Sequence, residues 1–350
     1  SETVRGLRTH MRNDLAEAAD WHLAATDSMQ WDGLLQKVQA RSPHGARRCF
    51  WLLHGVYAYF KGFKQLDENP LDVPDMRRDY SPKKLKKGRT KRVETLDIPK
   101  FWEGIYTLKF KTSQEAIRII QLSGWRRSGV LRMRWDRIDW KNGVYWVQPG
   151  DRGWKGYAGP MAMNDYVVQV LKERQARTAN ERIRAGALGE TQERRRQAGE
   201  EWVFPAYRGS EGPMREVRGS FNSISKRLPY AVQAHDCRRG FASIGRTVLG
   251  SGWMLGRLMA HPQLGQPDED AGSRQTDDYV EKFLPAERIA SNKVAGAIME
   301  IAMGDISDAL QSKFLDKGID LRRGELIQLI ELQDDDTEAL ESEARQKLAA

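Results

Sequence analysis

The chain has 350 residues, enough for two domains or for one large domain with appendages. Hydrophobic residues make up 40% and charged residues 30%, no apolar run approaches the roughly 20 residues of a membrane-spanning helix, and the charge-rich first twenty residues lack the apolar stretch of a secretion signal. This composition excludes a membrane protein and indicates a cytoplasmic one, and the formal charge of +9 favours a polyanionic partner, because clustered Lys and Arg bind phosphates.

Residues 1–82 are predicted to form a helical domain. Four apolar residues recur at helix spacing: Trp31, Leu34, Leu35 and Val38. The aromatic-rich segment from Phe50 to Phe63 is typical of a further helix. Asn69-Pro70 then predicts the end of the helical run, because a residue that precedes proline disfavours helical backbone.

Residues 83–94 form a basic run that predicts an interdomain linker. Seven of the ten positions from 83 to 92 carry Lys or Arg: Lys83, Lys84, Lys86, Lys87, Arg89, Lys91 and Arg92. Such a run is also typical of a solvated connector that has no further role. Between two domains that hold DNA, these cations would lie along the sugar-phosphate backbone and fix the register without reading the sequence.

A second domain is predicted over residues 95–283. Thr95 is expected to be the N-cap of an apolar helix that reaches Leu108. A longer helix is expected from about Ser113 to Gly124. The domain is therefore expected to be mainly helical.

A small β-hairpin interrupts these helices. It is predicted from two short alternating segments, 144–147 and 160–163, on either side of a glycine-rich turn. A charged helix over 167–200 and a short buried segment at 202–205 are expected to follow. Helices are then expected to dominate as far as Phe283.

Residues 284–350 are predicted to be a helical C-terminal tail with an acidic end. Four of its residues give an amphipathic pattern: Ile289, Val294, Ile298 and Ile301. The last twenty residues carry seven acids against two bases, so the rest of the chain has a charge of about +14. The apolar face either packs on its own domain or docks on a second copy of the chain.

Residues suited to catalysis or metal binding are scarce. Cys49 and Cys237 lie far apart and lack zinc-ligand spacing, so neither a disulfide nor a metal site is expected. Only two histidines occur beyond residue 54, His235 and His261. His235 and Arg238 are three residues apart, so on a helix they would share a face and could address one phosphate.

Four segments of the sequence carry a resemblance. They are SGWRRSGVLRMRWDRID at 123–139, HDCRRGFAS at 235–243, MAH at 259–261 and TDDY at 276–279. In this order they resemble the first arginine box, the HxxR box, the LGH element and the TxxY element of the tyrosine recombinases, the phage integrase family. The resemblance covers about residues 95–283, and the helical N-terminal region is similar, more loosely, to the core-binding domain of that family.

The resemblance implies a catalytic role for six residues: Arg126, Lys155, His235, Arg238, His261 and Tyr279. By this resemblance the two arginines clamp the scissile phosphate, since guanidinium stays charged and donates bidentately to phosphate oxygens. Tyr279 attacks phosphorus and forms a 3′-phosphotyrosyl bond. His235 and His261 bond the phosphate, and the hairpin-turn cation protonates the leaving oxygen. Lys155 is the lysine of that turn, and Arg152 is the alternative cation.

The same resemblance implies a two-domain clamp on double-stranded DNA that needs no ATP, metal or other cofactor. It also implies self-association into a tetramer on the DNA, with the C-terminal tail as a contact between copies. Integration or excision of a mobile element or phage is the favoured role, and we expect the protein to associate with the nucleoid.

Two positions depart from the family pattern. Gly129 stands where the family usually has an acid, three residues after the clamp arginine. His261 and Tyr279 are 18 residues apart, about twice the spacing that the pattern leads one to expect. The excess, which includes residues 266–274, is predicted to be a loop that lets the tyrosine segment swing.

Three other functions stay open at this point. Type IB topoisomerases and hairpin telomere resolvases use a similar set of residues, and relaxation of supercoiled DNA that lacks a specific site would favour the topoisomerase. A DNA-binding regulator that has lost its chemistry is the alternative from a different class. The presence of all six residues argues against that loss.

Overall fold

The computed structural model describes residues 2–80, 92–185, 201–206, 212–260 and 275–327, with the backbone alone at some helical positions, among them 179–185 and 275–283. The chain divides into two compact units, residues 1–90 and 91–350. This division falls within the basic run at 83–94. Among the helices that the structure describes, none is long and apolar enough to cross a membrane.

The first unit is helical. Its helices are α1 (Glu2–Asn13), α2 (Ser28–Arg41), α3 (Pro43–Gly62) and α4 (Pro74–Asp79). Local signals set two of the starts: Asp27 and Gln30 form a reciprocal capping box at α2, and Ser42 accepts a hydrogen bond from the Gly45 N–H at the start of α3. The predicted helices over 31–38 and 50–63 are thereby confirmed.

Aromatic side chains fill the core of the first unit. The indole of Trp31 donates to the hydroxyl of Tyr57 at 2.8 Å, and that hydroxyl donates to the carbonyl of Leu23 at 2.9 Å. Phe50 stacks on Tyr80 with ring centroids 5.2 Å apart. These contacts satisfy the buried polar atoms of Trp31 and Tyr57, so large rings can be buried at little cost.

Asn69-Pro70 was predicted to end the helical run, and this prediction is wrong. Helix α3 already ends at Gly62, and Lys64 has a left-handed backbone with φ of 54°. The Asn69 side chain instead accepts a hydrogen bond from the Leu71 N–H at 3.0 Å. Asn69 therefore stabilises a turn, which is the other common role of asparagine.

The second unit is mainly helical and contains two small antiparallel sheets. Its elements are α5 (Ile98–Tyr106), α6 (Lys111–Ser123), α7 (Arg127–Leu131), β1 (Ile138–Asp139), β2 (Val144–Val147), β3 (Gly159–Ala162), α8 (Asp165–Ala185), α9 (Arg218–Ser225), α10 (Ala234–Leu249), α11 (Gly252–Leu258), α12 (Gln275–Met303), α13 (Asp308–Leu315), β4 (Ile319–Asp320) and β5 (Glu325–Leu326). One sheet has the order β1-β2-β3 and the other pairs β4 with β5. The predicted mainly α fold with a small hairpin is confirmed.

The hairpin pairs β2 with β3 in the register Tyr145 with Met161 and Val147 with Gly159. Strand β1 adds a third strand, in which Ile138 pairs with Tyr145. A strand of two residues is too short to show alternation, so the sequence gives no signal for it. The turn between β2 and β3, residues 148–158, carries Lys155.

The start of the second domain differs from its prediction. Thr95 begins a short 3-10 turn, Thr95–Asp97, and makes no capping hydrogen bond. Helix α5 follows with a proline in its first turn, where the missing N–H costs nothing. It ends at Tyr106, so Leu108 lies beyond the helix.

Helix α12 runs through the boundary predicted between residues 283 and 284. Val294 and Ile298 are fully buried in the core of the second unit, whereas Ile289 is 58% exposed. Helix α12 packs against α5, α6 and α10. This part of the tail is therefore integral to the second unit, and of its apolar residues Ile289 faces solvent.

Helix α6 ends at a glycine that the core requires. Gly124 has φ of 64°, and a Cβ at this position would lie 2.4 Å from Cδ1 of Phe241 on α10. A left-handed C-cap and a close approach to an aromatic ring both favour glycine here. The Gly124 carbonyl is consequently held against helix α10.

We predict that Gly124→Ala destabilises the second unit by about 2–4 kcal/mol, the sum of a left-handed backbone penalty and overpacking against Phe241. The matched control is Gly250→Ala at the C-cap of α10, which has φ of 67° and no atom within 4 Å of the added methyl. This control should lose only about 1 kcal/mol. Urea unfolding followed by circular dichroism measures both, and equal losses would contradict the role of Phe241.

Candidate active site

Arg238 is the most deeply placed cation of the candidate site. It lies on α10, 4% exposed, and its guanidinium donates to the carbonyl of Gly124 at 2.7 Å and to that of Met259 at 2.8 Å. The helix starts just before it because Gln233 and Asp236 form a reciprocal cap. Arg238 thus joins the end of α6 to the end of α11.

Arg126 approaches the same place from another segment. It precedes α7, and its Nη1 donates to the carbonyl of Ala260 at 3.2 Å and, more weakly, to that of Trp154 at 3.4 Å. The side chain is half-buried. Arg126 and Arg238 are therefore oriented by main-chain carbonyls of adjacent residues, Met259 and Ala260.

These two cations have no acidic partner among the described residues. Within that part of the chain neither forms an ion pair with a carboxylate. Burial lowers the pKa of Arg126, and burial together with the charge of Arg126 lowers the pKa of Arg238 to about 9. Both stay protonated near neutral pH, so the site holds uncompensated positive charge that an anion would stabilise.

His235 lies at the start of α10, one turn before Arg238, and its side chain is exposed. Partial desolvation and the nearby charges of Arg239, Arg238 and Lys155 lower its pKa below the usual 6.5, against an opposing effect of Asp236. The neutral imidazole is therefore favoured at neutral pH, which suits a proton acceptor. Positions 235 and 238 lie on one helix, as predicted.

Lys155 lies in the turn between β2 and β3. Its side chain is exposed and its backbone is left-handed, with φ of 51°. The carbonyl of the preceding residue, Trp154, accepts a hydrogen bond from Arg126, and the charge of Lys155 is one of those that lower the pKa of His235. This placement favours Lys155 over Arg152 as the cation of the site.

The turn that carries Lys155 explains the glycine at position 129. A Cβ on Gly129 would lie 2.9 Å from Cε2 of Trp154, and a Cβ on Gly153 would lie 2.4 Å from the Gly129 nitrogen. The turn therefore packs directly on the backbone of Gly129. An acid cannot fit there, and carbonyl oxygens orient Arg126 in its place.

The two remaining candidates are described incompletely or not at all. His261 and the segment 266–274 lie outside the described residues. Tyr279 belongs to the first turns of α12 by its backbone, and its side chain is not described. The structure thus brings four of the six candidate residues together: Arg126, Lys155, His235 and Arg238.

Of the seven cations in the basic run, the structure describes Arg92 alone. Lys83, Lys84, Lys86, Lys87, Arg89 and Lys91 lie outside the described residues. Arg92 pairs with Glu94 at 2.8 Å, and next to it the N–H of Val93 donates to the carbonyl of Asp236 at 3.2 Å. The end of the run is therefore fixed beside His235.

The hydroxyl groups of two alternative candidates for the nucleophile, Tyr157 and Tyr230, already donate hydrogen bonds. The hydroxyl of Tyr157 donates to the carbonyl of Pro160 at 2.7 Å, and burial raises its pKa to about 12. The hydroxyl of Tyr230 donates to Asp97 at 2.8 Å, and burial raises its pKa also. Neither is prepared to lose its proton and attack.

One cluster in the described part of the chain has the residue types of a metal site. His10, Asp14 and Cys49 of the first unit have ligand atoms within 4.8 Å of one another. His10 already bonds Asp14 at 2.6 Å, and Arg41 pairs with the same carboxylate at 2.7 Å. Burial raises the pKa of the Cys49 thiol to about 11, so the cluster is a closed ion-pair network with a protonated thiol.

Solved structures share this fold. The chain is similar to a lambda integrase dimer bound to a COC′ core site, with 12% identity, coverage of 80% of this chain and 71% of that one, and a TM-score of 0.54. It is also similar to the Tn1549 transposon integrase in complex with transposon right end DNA, with 14% identity, coverage of 81% and 94%, and a TM-score of 0.53. At these identities the likeness shows the fold alone. No curated protein sequence matches the chain.

A sequence family also matches. The model of the phage integrase family covers residues 103–244, which include Arg126, Lys155, His235 and Arg238. The match therefore spans the hairpin and the helix of the HxxR box, where the four described candidates meet. Residues 103–244 of this chain therefore belong to the phage integrase family.

Proposed function

We propose that this chain cleaves and rejoins double-stranded DNA at a specific site, with Tyr279 as nucleophile and Arg126 and Arg238 as the phosphate clamp. The observation that carries this proposal is the buried guanidinium of Arg238 beside the half-buried one of Arg126, neither with an acidic partner in the described chain. A scissile phosphate supplies the missing negative charge. Double-stranded DNA is the substrate because the neighbours of known structure are integrases in complex with DNA.

The proposed step conserves the energy of the phosphodiester. The hydroxyl oxygen of Tyr279 attacks phosphorus, the bond from phosphorus to the 5′ oxygen breaks, and a 3′-phosphotyrosyl bond forms. Rejoining is the reverse attack by a 5′ hydroxyl, so the cycle needs neither ATP nor a metal ion.

The arginines stabilise the charge that builds on the phosphate during this step. Their hydrogen bonds to main-chain carbonyls fix the guanidinium planes before substrate binds, so that little reorganisation is needed. Their burial lowers the local dielectric and strengthens the attraction to phosphate. A lysine concentrates its charge on one nitrogen and cannot reproduce the planar, two-pronged geometry.

Proton transfer is assigned to the cations and imidazoles around the clamp. His235, whose neutral form is favoured, accepts the proton of Tyr279, and Lys155 donates a proton to the departing 5′ oxygen. His261 donates a hydrogen bond to a non-bridging oxygen. The effect of the Lys155 charge on the pKa of His235 supports this division of roles.

At the level of the whole chain, we assign residues 1–82 to DNA binding, 83–94 to a linker whose cations contact the DNA backbone, and 95–283 to catalysis. Integration or excision of a mobile element or phage is the role, and the active assembly is a tetramer on DNA. The exposed Ile289 on α12 is available for contact with a second copy. Sequencing covalent protein–DNA junctions from a pool of randomised duplexes would give the target and the cleavage position together.

Tyr279→Phe is expected to abolish the covalent adduct, because phenylalanine has no oxygen to bond phosphorus. The measurement is adduct formation on a nicked duplex that carries the recovered junction, with the attached residue located by mass spectrometry. Tyr157→Phe and Tyr230→Phe are the controls and should keep the adduct. An adduct that survives Tyr279→Phe would refute the assignment, and efficient relaxation of DNA that lacks the site would favour a topoisomerase.

Arg238→Lys is expected to slow adduct formation at least about 100-fold, the typical cost of removing a preorganised donor from a developing anion. Lysine also lacks the two separate nitrogens that bond the carbonyls of Gly124 and Met259. The control is Arg239→Lys, one residue along the same helix, which keeps its charge beside His235 and should cleave at the normal rate. A normal rate in Arg238→Lys would remove this arginine from the clamp.

The imidazole of His235 is expected to have a pKa below 6.5, because partial desolvation and, in addition, nearby cations disfavour its charged form. Lys155→Ala removes one of these cations and should raise the midpoint. The resonances of the ring protons, assigned by comparison with His235→Gln, measure both values. The control Lys141→Ala lies in a different turn and should change nothing, and a midpoint at or above 6.5 in the unaltered protein would contradict the geometry.

A further inference from the structure

Trp154 is the residue that connects the turn of Lys155 to the rest of the site. It comes directly before Lys155, yet it is 2% exposed while Lys155 is exposed. The turn around it has positive φ at Gly150, Gly153 and Gly156 as well as at Lys155. A turn with so much glycine is intrinsically free to move, so its contacts with the core, those of the Trp154 indole above all, decide where its lysine lies.

The indole of Trp154 is held on three sides. Its ring centroid is 5.3 Å from that of Trp125 in an edge-on contact and 5.9 Å from that of Tyr145 in a stacked one. Its third contact is Gly129, where an added Cβ would come 2.9 Å from Cε2 and 3.0 Å from Cζ2. These neighbours come from the segment before α7, from strand β2 and from α7 itself.

The same residue also reaches the clamp. The carbonyl of Trp154 accepts a hydrogen bond from Nη1 of Arg126, and Trp125, which packs on the indole, is the residue before Arg126. Lys155, on the other side of Trp154, is close enough to His235 to lower its pKa. Trp154 therefore lies between the proposed proton donor and one arm of the clamp.

We propose that Trp154 is a positioning residue, whose indole locks the turn onto Gly129 and so holds the Lys155 ammonium at the scissile phosphate. The inference rests on the proposed function, since it assigns Lys155 as the donor to the 5′ oxygen. It also explains Gly129, because a larger residue at this position would overlap the indole. The turn that carries Lys155 is then already ordered before DNA binds.

Trp154→Ala is the direct test, with a 5′-bridging sulfur at the scissile phosphate as the diagnostic substrate. Thiolate is a far better leaving group than alkoxide, so cleavage of the sulfur-linked strand does not need the lysine proton. On the ordinary duplex recovered from the junction sequencing, Trp154→Ala should slow adduct formation by about 10- to 100-fold, a part of what a general acid contributes. On the sulfur-linked duplex its rate should return to near that of the unaltered protein, as should that of Lys155→Ala.

A second variant leaves the tryptophan in place. Gly129→Ala puts a methyl group into the indole and should give the same pattern on the two substrates. The matched control is Trp146→Ala, which removes a tryptophan that is 40% exposed on β2 of the same hairpin and should cleave both substrates normally. Normal rates on the ordinary duplex in Trp154→Ala and Gly129→Ala, or equal slowing on both duplexes, would overturn the proposal. If Trp154→Ala does not fold, Gly129→Ala decides.

A measurement without DNA separates this inference from the proposed function. Trypsin cuts after Lys155 and Arg152, and its rate at these bonds reports how firmly the turn is held. Mass spectrometry should show faster cutting there in Trp154→Ala and Gly129→Ala than in the unaltered protein or in Trp146→Ala. Equal cutting in all four proteins would overturn the positioning role of Trp154, even if the chain cleaves DNA. Faster cutting in the two variants, together with no adduct in the unaltered protein, would refute the proposed DNA cleavage but not the positioning role of Trp154.

Discussion

A buried arginine that lacks an acidic partner in the described chain is the constraint on which the second unit depends. Arg238 is satisfied by two main-chain carbonyls, those of Gly124 and Met259, so three helices must end or pass within reach of one guanidinium. Removing a cation from water is costly, and the nearby charge of Arg126 increases that cost. The free energy is recovered when an anion binds, so this interior is prepared in advance for the phosphate that we propose as its ligand.

Glycines allow the segments around this cation to approach closely. At Gly124 the main chain meets the ring of Phe241, and at Gly129 it meets the ring of Trp154. In both places a side chain would push away the element that carries a functional group, the clamp in one case and the lysine turn in the other. The positions of these aromatic rings therefore determine where the clamp and the lysine turn lie, since a packed core has few alternative arrangements.

Much of the fold follows from local pattern. The helix around Trp31 and the hairpin from Val144 are encoded by the periodicity of apolar residues, and the spacing of His235 and Arg238 places both on one helix face. Element ends are less well encoded: Thr95 has the chemistry of an N-cap yet makes no cap, and Asn69 stabilises a turn. Capping residues compete with several local conformations, and tertiary packing chooses between them.

The sequence by itself determined the family resemblance, the candidate arginines and the hairpin that carries Lys155, because these depend on residue type and short spacing. Only the tertiary structure decided what orients Arg126 once the usual acid is replaced by Gly129, and why Val294 and Ile298 are core residues. It also brought Trp154 into the site, although nothing in the residues around it distinguishes it from an ordinary buried tryptophan. Contacts between residues far apart in the chain depend on how the elements pack, and short sequence patterns do not specify that packing.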